Sequence, residues 1–223
     1  HFISPLSRPE DTMGALYSTP VRVLLLGLDN CGKTTLLRQL TCRYGPGCSR
    51  TSKFDEELQD DEYEEDEVAA AEAADSSRIQ PTFGCVGAQI RLPCGGPALA
   101  VVEVGGRRLY RDFWRYHCAG AEAVLFVVDS NDSRRLDEAR SFLFEVATSW
   151  ELLGVPVIVL ANKQDLPMAL PSWSVAAGLQ MEMLERLGHP THVHRTVGSS
   201  GDGVLTALHV LARLVRQRRR NGC

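Results

Sequence analysis

A glycine-rich stretch close to the amino terminus carries the clearest chemistry in this 223-residue chain. Residues 27–35, Gly-Leu-Asp-Asn-Cys-Gly-Lys-Thr-Thr, fit the pattern G-x-x-x-x-G-K-[ST] of a phosphate-binding loop. The glycines let the backbone curl so that successive N–H groups point at one anion. Lys33 can reach the β- and γ-phosphates of a nucleotide, and the Thr34 hydroxyl can hold Mg²⁺. The residues expected to contact a nucleotide here are Gly27, Asp29, Asn30, Cys31, Gly32, Lys33, Thr34 and Thr35.

A second motif has residues that can bind the base of such a nucleotide. Asn162, Lys163 and Asp165 belong to the run Asn-Lys-Gln-Asp, which follows the apolar residues 155–160. The Asp165 carboxylate can accept two hydrogen bonds from the N1–H and exocyclic amine of guanine, whereas adenine has no such donor pair. The aliphatic stem of Lys163 can cover the face of the base. The tetrapeptide alone is weak evidence, but behind a strand and downstream of a phosphate-binding loop it indicates a guanine site.

These motifs need strands and helices to position them, and the apolar pattern supplies both. The predicted strands are residues 21–26, 88–92, 99–104, 123–129, 155–162 and 192–197. The predicted helices are residues 36–40, 136–146, 172–186 and 204–216. Strands that alternate with helices indicate an α/β fold, a doubly wound and mostly parallel sheet covered on both faces. The turn at 93–97 makes a hairpin of the second and third strands, which would supply one antiparallel edge strand.

The composition excludes several classes of protein. No apolar run approaches the roughly 18 residues of a membrane span, and the amino terminus does not resemble a secretory signal. Seven cysteines without repeated CxxC spacing argue against a disulfide framework or a zinc site, so free thiols in a reducing, cytoplasmic compartment are expected.

One segment interrupts the alternation of strands and helices. Residues 42–78 form a long linker, and within it residues 55–75 hold twelve acidic side chains and no lysine or arginine. Because the whole chain has a net charge of −4, the remainder carries +8. Such a like-charge block repels itself and cannot bury apolar surface, so we predict a solvated insertion. A docking segment for a basic partner is the alternative.

The sequences of three segments are more specific than these generic motifs. Residues 21–35, 126–140 and 161–167 resemble the ADP-ribosylation factor and ADP-ribosylation-factor-like small GTPases, and the similarity covers 21–41 and 79–216. The resemblance implies a Ras-like P-loop NTPase fold. It also implies a monomeric GTP/GDP switch with Mg²⁺ that works with an exchange factor, an activating protein and effectors, and that has no nucleic-acid partner. By the same analogy the protein would act in vesicle or other membrane traffic, peripherally on the Golgi or another endomembrane.

The resemblance also assigns roles to single residues. Thr82, in the first switch at 81–84, would ligate Mg²⁺ together with Thr34 and sense the γ-phosphate. Gly106, in the second switch, would offer its N–H to the γ-phosphate. A backbone N–H near Gly198 would meet the guanine O6.

Several positions depart from the family pattern. Glu103 stands where the family has Asp, and its extra methylene predicts weaker coupling to Mg²⁺, which demands near-ideal octahedral geometry. Val102, Cys85 and His117 replace an aromatic triad that contacts effectors, so different partners are expected.

Arg107 replaces the family's water-positioning glutamine. Arginine has five donors and no acceptor, so it cannot accept a hydrogen bond from the attacking water, and slow GTP hydrolysis is expected. An Arg107 that faces solvent while another group positions the water is one alternative. A second is a hydrolysis-deficient nucleotide-binding scaffold that acts through its acidic insertion.

Both ends of the chain carry candidate membrane signals, outside the GTPase domain predicted at 21–216. In the extension 1–20, a start at Met13 would expose Gly14 in the myristoylation pattern M-G-x-x-x-[ST]. One acyl chain binds membranes only marginally, and a second, basic signal can assist it. The carboxyl-terminal region and the tail predicted at 217–223 supply Arg213, Arg216, Arg218, Arg219 and Arg220. A solvated helix end is the alternative for these arginines.

Overall fold

A computed structural model describes residues 19–46, 85–93, 96–107 and 114–221. Its centre is a six-stranded sheet in the order β2-β3-β1-β4-β5-β6. The strands are β1 (Val21–Gly27), β2 (Cys85–Arg91), β3 (Ala98–Val104), β4 (Ala123–Asp129), β5 (Val157–Asn162) and β6 (Thr191–Arg195). β2 pairs antiparallel with β3, and the other neighbours are parallel. The predicted mostly parallel α/β fold with one antiparallel edge strand is therefore confirmed.

Helices cover both faces of this sheet. They are α1 (Lys33–Tyr44), α2 (Trp114–Cys118), α3 (Leu136–Ala147), α4 (Ser172–Gly178), α5 (Met181–Arg186) and α6 (Val204–Asn221). Short 3₁₀ turns lie at Ser133–Arg135 and Trp150–Leu152. None of the helices within the described residues is long and apolar enough to cross a lipid bilayer.

The apolar residues of β1 show how the two layers form. Val23 and Leu25 point to one face and pack with α1 and α6, whereas Leu24 and Leu26 point to the other and pack with α3. Each of these side chains is fully buried. Burial of such a side chain stabilises the fold by about 1.5–3 kcal/mol, so an apolar run without polar alternation specifies a central strand covered on both faces.

The structure corrects several predicted boundaries. The helix predicted at 172–186 is two helices, because Gln180 between α4 and α5 adopts a left-handed conformation with φ 53°. Helix α1 continues to Tyr44, so the predicted insertion does not begin at residue 42. The tail predicted at 217–223 is helical as far as Asn221. The acidic block at 55–75 lies outside the described residues.

Parallel pairing brings the carboxyl ends of three strands to one edge of the sheet. Gly27 at the end of β1 is level with Val127 of β4, and Asp129 at the end of β4 is level with Asn162 of β5. In open α/β sheets, ligands bind in the crevice outside these carboxyl ends. The motifs predicted to bind phosphate and base therefore meet there, and the opposite edge carries the start of each of these strands.

Candidate nucleotide-binding site

The phosphate-binding loop between β1 and α1 has the curled backbone that its glycines predict. Gly27 has φ 145°, Asn30 φ 60° and Gly32 φ 99°. A Cβ on Gly27 would lie 2.3 Å from the Val127 carbonyl oxygen, and one on Gly32 would lie 2.4 Å from Asn162 Nδ2. Neither position accepts a side chain without moving its neighbours, so the loop requires glycine at both.

Lys33 lies beneath this curl and is 5% exposed. Its Nζ donates to the carbonyl oxygens of Gly27 at 3.1 Å and Leu28 at 2.8 Å, and it lies 3.9 Å from Cys31 Sγ. Within the described residues, all of these partners are neutral. A buried ammonium group is costly without a counter-charge, so the loop fits an anionic ligand such as a nucleotide phosphate.

Cys31 is a packing residue in this loop. Its side chain is 2% exposed. Burial raises the pKa of the thiol above its ordinary value, and the charge of Lys33 only partly opposes this effect. Cys31 therefore does not have the lowered pKa of an activated thiol.

The candidate metal ligands Thr34 and Glu103 meet at the edge of the loop. Thr34 Oγ1 donates to Glu103 Oε1 at 2.6 Å, and Glu103 is 1% exposed. The described residues contain no group of three or more His, Cys, Asp or Glu side chains that could hold a metal ion. A hydroxyl and one carboxylate beside a phosphate cradle fit Mg²⁺, which takes few protein ligands and completes its shell with phosphate and water. Thr82, the third predicted ligand, lies outside the described residues.

The second switch lies against the phosphate-binding loop. A Cβ on Gly106 would come within 2.5 Å of both the Asp29 nitrogen and Lys33 Nζ, so only glycine fits. The preceding carbonyl, that of Gly105, accepts a hydrogen bond from the Trp114 indole Nε1 at 3.1 Å. Arg107 follows with an exposed side chain.

Asn162 connects the phosphate-binding loop with the loop that follows β6. Its Nδ2 donates to the Cys31 carbonyl at 2.9 Å, and its Oδ1 accepts from the Gly198 N–H at 2.8 Å and from Thr196 Oγ1 at 3.4 Å. The Gly198 N–H is therefore directed at Asn162, and the next N–H along the loop is that of Ser199.

The other two residues of the base motif differ in their surroundings. Lys163 has φ 62°, and its Nζ lies 2.6 Å from Asp129 Oδ2, so the lysine extends across the end of β4. Asp165 is exposed. The motif thus presents a cation anchored on Asp129 and an exposed carboxylate.

Two further groups of contacts hold the site and were not predicted from the sequence. Arg135 donates to Asp29 Oδ1 at 2.7 Å and also contacts Glu138, and these hydrogen bonds raise the pKa of the guanidinium. In the last loop, Gln39 Nε2 binds the Ser199 carbonyl and Arg43 Nη2 binds the Ser200 carbonyl at 2.6 Å. The middle and the carboxyl-terminal turn of helix α1 therefore hold the last loop.

These features define a P-loop nucleotide-binding domain of the Ras-like small GTPase type. A sequence model of the ADP-ribosylation factor family matches residues 11–58 and 68–215 of the chain. The chain belongs to the ADP-ribosylation factor family, whose members bind guanine nucleotides and act as GTPases.

Individual relatives agree with this assignment. The chain is 32% identical to ADP-ribosylation factor-like protein 4D of Mus musculus over 203 residues, 90% of this chain and 85% of the mouse protein. It is 32% identical to ADP-ribosylation factor-like protein 3 of Caenorhabditis elegans over 164 residues, 74% and 72% of the two chains. The fold resembles the Arl6 BBS3 small GTPase of Trypanosoma brucei with bound nucleotide analogue GppNp. The TM-score is 0.67 at 24% identity, and the match covers 89% of this chain and 99% of that one.

Proposed function

We propose that this protein is a GTP-binding molecular switch that binds GDP and GTP with Mg²⁺ and recruits effectors in its GTP form. The observation that carries the proposal is the approach of the second switch to the phosphate-binding loop, where Gly106 adjoins Lys33. A terminal phosphate at this point would contact both elements at once. The second switch would then hold a different position in the GTP and GDP forms, which is the requirement for a switch.

Each side chain of the site has a specific task in this proposal. Lys33 neutralises the β- and γ-phosphates, and Thr34 and Glu103, with Thr82, hold Mg²⁺, which would offset phosphate charge. Asp165 selects guanine by accepting from its N1–H and amine, while the Lys163 stem covers the base. The test is competition for the loaded protein by GTP and ATP, with and without Mg²⁺. Displacement by ATP as effective as that by GTP would contradict the guanine assignment.

Slow GTP hydrolysis is part of the same proposal. The Arg107 side chain has donors only, so it cannot orient an attacking water by accepting from it. The Arg107 side chain is exposed, which also fits the alternative that it faces solvent while another group positions the water. The rate of GTP hydrolysis distinguishes the two. Single-turnover GTP hydrolysis should accelerate in Arg107→Gln. Equal rates in the wild type and the variant would show that Arg107 does not limit hydrolysis.

We further propose peripheral association with the Golgi or another endomembrane and a role in vesicle traffic, by analogy with the family. In this proposal the GTPase domain spans 21–216, and Gly14, outside the described residues, carries a myristoyl group when translation starts at Met13. Mass spectrometry of that chain from a eukaryotic host tests the modification. An unmodified Gly14 would contradict it.

A further inference from the structure

At the end of the sheet opposite the nucleotide site, where the parallel strands begin, two large apolar side chains are exposed. The loop between α3 and β5 presents Trp150, 79% exposed, and Leu153, 58% exposed, although Leu152 between them is 1% exposed. Two backbone hydrogen bonds fix this loop: Leu152 N–H to the Ser149 carbonyl at 3.1 Å, and Val155 N–H to the Leu152 carbonyl at 2.9 Å. Because Leu152 is buried in the core, the side chains of Trp150 and Leu153 point outward from this loop.

Another exposed leucine and a basic helix end adjoin this loop. A Cβ on Gly154 would lie 3.9 Å from the Gly188 carbonyl, so the preceding Leu187, 46% exposed, is next to the loop. Arg218 in the last turn of α6 donates from Nη2 to the Leu153 carbonyl at 3.3 Å. We call the surface made by Trp150, Leu153, Leu187 and Arg218, together with the exposed Arg220 in the same last helical turn, the basal patch.

The arginines at the end of α6 have different roles. Arg219 binds Glu122 with both ends of its guanidinium, Nε to Oε2 at 2.6 Å and Nη2 to Oε1 at 2.7 Å, so it belongs to the fold. Arg218 and Arg220 on either side of it are exposed. The pairing of Arg219 with Glu122 neutralises that carboxylate and leaves the positive charge of its two neighbours at the surface.

The acidic groups of α5 and of this loop have local partners or are half-buried. On α5, Glu182 lies 4.0 Å from Arg186, and Glu185 accepts a hydrogen bond from Thr191. Glu151, which follows Trp150, is half-buried. An aromatic ring and two leucines beside two exposed arginines match a surface that is apolar within and anionic at its boundary.

We propose that the basal patch docks on anionic lipid bilayers, with Trp150 at the headgroup level and the arginines against lipid phosphates. The proposal deepens the peripheral membrane association proposed above and rests on it. Strand β1 begins at this same edge, where the Arg22 carbonyl accepts from the Glu122 N–H at 2.9 Å. The described chain therefore enters β1 at the same end of the sheet as the basal patch.

Vesicle binding of the full, non-acylated chain tests the proposal. Sedimentation with phosphatidylcholine vesicles that contain phosphatidylserine should show binding that disappears without phosphatidylserine or at high salt. Trp150→Ala with Leu153→Ala should weaken binding at least tenfold, and Arg218→Gln and Arg220→Gln about fivefold each. Trp173→Ala is the matched control, since that side chain is 73% exposed on α4, and it should bind like wild type.

Tryptophan fluorescence adds a readout that a purely structural role would not change. The emission should shift to shorter wavelength on phosphatidylserine vesicles, and Trp150→Phe, but not Trp173→Phe, should abolish the shift. Binding that the basal-patch variants leave unchanged, or no binding at all, would overturn the proposal, and the latter result would favour a protein partner. Two further measurements distinguish a failure of this proposal from a failure of the proposed function. Nucleotide loading of the same samples tests the switch, and vesicle binding of the Gly14-acylated chain tests its membrane association.

Discussion

The three contacts of Asn162 lead to a quantitative prediction for Asn162→Ala. The substitution removes two buried hydrogen bonds of 2.9 and 2.8 Å and leaves the Cys31 carbonyl and the Gly198 N–H without this partner. Each orphaned buried group costs about 1–3 kcal/mol, so the free energy of unfolding should fall by about 2–6 kcal/mol. For a domain of this size, each kcal/mol lowers the melting temperature by about 2–4 °C. The expected decrease is therefore at least about 4 °C.

The same substitution should accelerate nucleotide release, because both loops that Asn162 holds belong to the proposed site. Stopped-flow measurement of fluorescent GDP release, beside thermal melting in excess GDP and Mg²⁺, gives both effects. Asn162→Asp separates the two contacts, since it keeps an acceptor for Gly198 and turns an oxygen toward the Cys31 carbonyl. Asn131→Ala is the control, because Asn131 is exposed and its one hydrogen bond to Asp129 uses the backbone N–H. An Asn162→Ala protein that melts within 2 °C of wild type and releases GDP at the same rate would refute the reasoning.

Three other substitutions have defined outcomes. Arg43→Ala removes an exposed, charge-assisted contact to the last loop and should speed GDP release about threefold. Arg38 is also exposed on α1, and Arg38→Ala should leave the rate of GDP release unchanged. Gly106→Ala should weaken GTP binding at least tenfold, measured by competition, because its Cβ would overlap the phosphate-binding loop; unchanged affinity would contradict that close approach. Burial, assisted by the charge of His192, lowers the pKa of His194, so the folded protein takes up fewer protons than the unfolded chain. Stability in urea should therefore fall as the pH drops below about 6.5, and His194→Gln should reduce this dependence.

The sequence predicts best what depends on local pattern. The bounds of β4, 123–129, follow from an apolar run that is buried on both faces, and the structure matches them. The phosphate-binding loop is predicted because its glycines and Lys33 must be adjacent in sequence. Gln180 shows the limit, since a left-handed conformation at a glutamine has no glycine or proline signal.

Contacts between distant segments were not predictable in the same way. Gln39 and Arg43 lie on the polar face of α1, and a polar helix face has the same pattern whether it meets solvent or another loop. Their partners are 160 and 157 residues away in the chain. The helix α2 was also missed, because Trp114–Cys118 is too short to show a helical period.

The contact between Asn162 and Cys31 has a consequence for synthesis on the ribosome. Its two ends are separated by 131 residues, which take roughly 7–26 s to translate at about 5–20 residues per second. The phosphate-binding loop therefore leaves the ribosome well before the strand that completes its support. A nascent chain cannot assemble this pocket until β5 has emerged, and the ability to retain a nucleotide is acquired late in translation.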